Sequence, residues 1–166
     1  MFELKPLSQQ AISTALEKVE RYRLLNEPAD AESICRDILA IDPNHQQALI
    51  NLVLSLTDQF GESLGGNFND ARDAVSRLTS SYDKEYYSGI ICERRAKAHF
   101  ARMTPARGNV AYHWLCDAME HYEEAEKHSS EGDDDAILRW NTCARMIMAN
   151  SDIEPEEQTT SSLELE

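Results

Sequence analysis

Apolar residues in this chain recur at spacings of three and four, and most such runs are cut short by proline or glycine. A period near 3.6 belongs to amphipathic helices, and frequent breaks keep each helix short. Ile12, Ala15, Leu16, Val19 and Tyr22 predict a first helix over residues 8–25, and Asn26-Glu27-Pro28 interrupts it. Pro28 suits the first turn of a second helix, residues 29–41, which carries Ala31, Ile34, Cys35, Ile38 and Leu39. Pro43 cannot continue that helix's hydrogen-bond ladder. A third helix over 45–58 follows, with Leu49, Leu52, Val53 and Leu56, and then a glycine-containing loop, Gln59–Asn69, flanked by Phe60 and Phe68. Further helices are predicted from Asn69, over 84–102, over 109–128 and from the Asp133–Asp135 triplet to residue 149. The triplet places carboxylates at the positive end of a helix dipole. The expected fold class is therefore all-α, an antiparallel array over residues 1–149, with an acidic, disordered tail over 150–166.

Charge narrows the function. The net charge is −14; residues 117–135 carry nine acids and one base, and residues 150–166 carry six acids and no base. The remainder is balanced. Such a field repels a nucleic-acid backbone and favours a basic or neutral polypeptide. The longest apolar stretch, Ala48 to Leu56, contains Asn51 and Ser55 and falls far short of the ~20 residues of a membrane span. With no secretory leader in the first residues, a cytoplasmic location is expected. Cys35, Cys92, Cys116 and Cys143 have no CxxC spacing and read as reduced, buried small hydrophobes.

No catalytic, cofactor or metal motif is legible, and the expectation is a protein that is not an enzyme. His113, Asp117 and Glu120 share a helix face, but polar residues on a solvated face account for them. Gly65-Gly66 lacks the lysine and strand context of a phosphate loop. Trp114 and Trp140 read as packing residues. Phe60 and Phe68 either lie against a groove or cap an apolar pocket, since long loops often carry function, or flank an insertion that a surface turn tolerates.

The series Ala31, Cys35, Ile38, Pro43, then Leu49, Leu52, Val53, Leu56 resembles the tetratricopeptide (TPR) repeat, a helical hairpin of about 34 residues. Tyr22 matches the aromatic position of the preceding helix, whereas Lys18 stands where a leucine is usual. The Gln59–Asn69 loop lengthens the second unit. Arg95-Ala96, His99, Ala111, Leu115 and Ala118 mark a third, and Trp140, Cys143, Ala144 and Ile147 a solitary capping helix. The resemblance implies a superhelix of about three hairpins plus that cap, whose first helices line a concave groove for a peptide or protein segment. Groove-facing positions would be Leu16, Glu17 and Glu20; Ile50, Asn51 and Leu54; Glu93, Arg94 and Lys97; Asn141, Thr142 and Arg145. Asn51, Leu54, Arg94, Lys97, Asn141 and Arg145 form the candidate binding set, with donors suited to carboxylates. The implied role is a protein-binding scaffold or adaptor. The alternative is self-association, as a homodimer, through exposed hairpin faces.

Overall fold

The structure is a computed structural model that describes residues 2–62, 65–102 and 104–156. Among them are seven α-helices and no strand: α1 (Ile12–Leu24), α2 (Pro28–Ile41), α3 (Gln46–Asp58), α4 (Gly65–Ser76), α5 (Ser81–Phe100), α6 (Arg107–Glu126) and α7 (Asp135–Ala149). A single 3₁₀ turn, Gln9–Ala11, leads into α1.

The junctions follow from local chemistry. After α1, Asn26 takes a positive φ of 60°, and Glu27 N–H donates to the Tyr22 carbonyl at 2.9 Å while Asn26 N–H donates to that of Arg23 at 3.0 Å. This paired closure satisfies the carbonyls left over at a helix end, and asparagine tolerates the left-handed backbone it needs. Pro28 then occupies the first turn of α2. Ser80 caps α5 by accepting from Asp83 N–H at 3.1 Å. Gln46, at the start of α3, accepts from Thr79 N–H at 2.8 Å, and Arg77 donates to the Pro43 carbonyl, so the α2–α3 and α4–α5 junctions are tied together.

Each helix packs on its neighbours in sequence, and α1 also meets α3 while α3 meets α5. One apolar core holds Val19, Cys35, Leu49, Val53, Leu56, Phe60 and Leu78; a second holds Ile90, Leu115, Tyr122, Ala136 and Cys143. Helix α5 belongs to both, through Ile91 and Ala98 on one side and Ile90, Cys92 and Ala96 on the other. Its segment Gly89–Glu93 is buried throughout. Gly89 permits the close α5–α6 approach, because a Cβ there would lie 2.5 Å from the Tyr122 ring.

Two boundaries differ from the sequence reading. Helix α4 begins at Gly65 rather than near Asn69, so Phe68 stands on its first turn and the loop is short; Ser63 and Leu64 lie outside the described residues. Chain after residue 149 is packed rather than free as far as Glu154. Ile153 is 3 % exposed in the second core, and Asn109 Nδ2 donates to the Glu154 carbonyl at 3.1 Å. Arg107 also pairs with Asp152 at 3.4 Å, so one buried apolar side chain and two polar contacts hold this short strap. The rest of the expected tail, residues 157–166, lies outside the described residues.

Candidate binding surfaces

The six sequence-derived groove residues fall on α3, α5 and α7 but do not form one open surface. Asn51 is 3 % exposed, with Nδ2 lacking a hydrogen-bond partner. Leu54 is half-buried and packs against the second core. Arg94 donates to the Leu54 carbonyl at 3.0 Å and to Thr57 Oγ1 at 2.6 Å, and pairs with Asp58 at 2.6 Å. Asp58 also pairs with Arg23 at 2.8 Å. Two guanidiniums thus converge on the last turn of α3, where cations suit the negative end of the helix dipole. Burial lowers the pKa of Arg94 and nearby Asp58 opposes the shift. Its positive charge serves the α1–α3–α5 packing.

Glu93, also expected to face the groove, is 1 % exposed. It accepts from Tyr122 Oη at 2.7 Å, pairs with Lys97 at 2.5 Å and accepts from Arg139 Nη1 at 3.4 Å. A buried carboxylate needs such compensation. Burial, then the Glu93 charge, pushes the Tyr122 hydroxyl well above its usual range and keeps it a donor. Lys97 reaches solvent from this network, Asn141 is half-buried and Arg145 is exposed. Arg94 and Lys97 border a shallow depression of about 310 Å³ beside Phe60 and Gly61.

A larger cleft, about 930 Å³, lies between α4 and α6 with α5 as its floor. Helices α4 and α6 meet at one end, where Phe68 and Trp114 make an edge contact at 5.7 Å. The Arg95 guanidinium is held there, 3.8 Å from the Phe68 ring centroid and 4.6 Å from that of Trp114. Cation–π attraction compensates part of its desolvation. The cleft continues to Val75 and Ser76 on α4, Lys84, Glu85 and Ser88 on α5, and Glu120, His121 and Glu124 on α6. His121 Nδ1 lies 2.7 Å from Glu85 Oε2 across its floor.

Phe68 lines this cleft, which is walled by the second helices of the expected hairpins and is not the groove expected between first helices, whereas Phe60 is 1 % exposed within the first core. Trp114 packs between helices as expected. Trp140 does so too, and its Nε1 donates to Glu123 at 2.9 Å. His113, Asp117 and Glu120 remain on the α6 surface, and only Asp117 and Glu120 line the cleft. Cys35, Cys92 and Cys143 are buried free thiols, while Cys116 is partly accessible. Among the described residues, no helix is long and apolar enough to cross a membrane. In comparisons with known proteins, no family model, no curated protein and no solved structure matches this chain.

Proposed function

We propose that this protein is a helical binding module, an adaptor of tetratricopeptide type that holds a segment of another polypeptide. The α4–α6 cleft carries the reading. It is elongated and open, walled by helices, and mixes aromatic, apolar and charged side chains. Such a surface suits a polypeptide with its alternation of apolar and polar groups. The contacts of α1 with α3 and α3 with α5 support the hairpin-stack layout that the repeat pattern implies. Of the six candidate residues in the groove implied by the family resemblance, Lys97 and Arg145 are exposed and Asn141 is half-buried.

Self-association is a second reading. It is favoured by Leu138 and Met148, which leave 61 % and 84 % of their surface exposed on terminal helix α7. Affinity capture with quantitative mass spectrometry, paired with light scattering, separates the two. The adaptor reading expects a polypeptide retained by the wild type and lost from either Asp117→Lys/Glu120→Lys or Arg145→Glu. Recovery of the protein alone, with mass rising as concentration rises, would replace it by self-association. Arg94→Glu is a poor probe, because it sets a second carboxylate against Asp58.

A further inference from the structure

We infer that the α4–α6 cleft receives a cationic segment in which lysine or arginine alternates with apolar residues. The inference rests on the binding-module reading and gives its partner a chemistry.

The α6 wall presents Asp117, Glu120 and Glu124 at spacings of three and four residues. Their successive positions are separated by about 4.5–6 Å of helix rise. Alternate residues of an extended strand, which point the same way, lie ~6.6 Å apart. A basic residue at every second position therefore meets this wall nearly in register. Asp117 and Glu120 are exposed and enter no ion pair among the described residues, whereas Glu124 is shared with Lys127 and His128. These acids have capacity for an incoming cation.

The intervening residues of such a strand face the other way. There they meet the partly exposed edges of Phe68 and Trp114 at one end of the cleft. Arg72 and Lys84 stand on the α4 and α5 side, and Glu85 there is engaged by His121, so basic residues are disfavoured in that direction. This opposition fixes which face of the strand carries the charge. The wall from Trp114 to Glu124 is about 15 Å long, room for four or five extended residues at ~3.3 Å each. The charge of the α6 wall also attracts a basic partner from a distance, and salt screens that attraction.

The test uses the full chain and a short fluorescent peptide alternating lysine and leucine, with a glutamate–leucine counterpart, read by anisotropy. The lysine peptide is expected to bind, and the glutamate peptide at least tenfold more weakly. Asp117→Lys/Glu120→Lys should weaken the lysine peptide at least tenfold, as should Ser88→Phe, which fills the floor without changing charge. Both sites tolerate change, since Asp117 and Glu120 are exposed and Ser88 borders the cleft; circular dichroism confirms the fold of each variant. Lys18→Glu, exposed on α1 and away from the cleft, should bind as the wild type does. Equal affinity for the two peptides, or unchanged affinity in the Ser88→Phe variant, overturns the assignment. If Ser88→Phe also still captures polypeptide partners, the binding module stands and only its assignment to this cleft falls.

Discussion

Glu93 shows how one side chain can be misplaced by a correct pattern. Repeat register put it beside Arg94 and Lys97 on an open groove, yet it is 1 % exposed and held by Tyr122, Lys97 and Arg139. The apolar run Gly89-Ile90-Ile91-Cys92 just before it was the available signal of burial. What the sequence could not display is that partners from α6 and α7 converge on it across long separations. Removing the Tyr122 hydroxyl leaves Glu93 short of a donor, so Tyr122→Phe should cost about 1–3 kcal/mol in urea unfolding. The buried cysteines set an alkaline limit. Burial pushes the thiols of Cys35, Cys92 and Cys143 from 9.0 up to about 12. Between those values the unfolded chain releases these protons and the native one keeps them, so stability is intact below pH 9 and falls as pH rises toward 12. Thermal unfolding across that range should show the decline; a flat profile would contradict the burial of these thiols. At neutral pH a thiol reagent should modify Cys116 ahead of the other three, as peptide mapping would reveal.

At the scale of the element, helices were readable wherever their own periodicity and punctuation decided them. Pro28 starts α2, α2 ends at Ile41 just before Asp42-Pro43, and α7 runs from Asp135 to Ala149. The start of α4 was less legible, because Gly65-Gly66 signals a loop and the helix there is favoured instead by what Phe68 and Ala71 pack against. The strap after α7 was missed for a similar reason. A single isoleucine in an acidic stretch carries no periodicity, and its burial depends on Gly108: a Cβ there would come within 1.7 Å of the Asp152 carbonyl oxygen. Ile153→Ala should therefore lose about 2 kcal/mol or more, where a residue in a free tail would lose nothing. Equal unfolding midpoints for the variant and the wild type would contradict the packed strap.

For the whole molecule, the all-helical class was legible because short amphipathic helices leave few other ways to bury their faces. The cleft was only half legible. Its acidic wall stood out in the charge distribution, and Phe68 was noted as an aromatic flanking a loop, but the spacing of α4 from α6 depends on packing around α5 that no local pattern encodes. The same packing draws Arg94 into an internal brace, so the positive groove expected from the repeat resemblance retains only part of its charge. The central claim is that the molecule holds another polypeptide in the α4–α6 cleft. Its most direct test is a photo-cross-linking amino acid placed in turn at Glu120, at Arg145 and at exposed Lys18 on α1 as a distant control, with adducts identified by mass spectrometry from cells expressing the full chain. The account predicts adducts at position 120 that map to lysine- or arginine-containing segments of another protein, with few at 145 or 18. Equal adducts at all three positions, or none at 120, would contradict it.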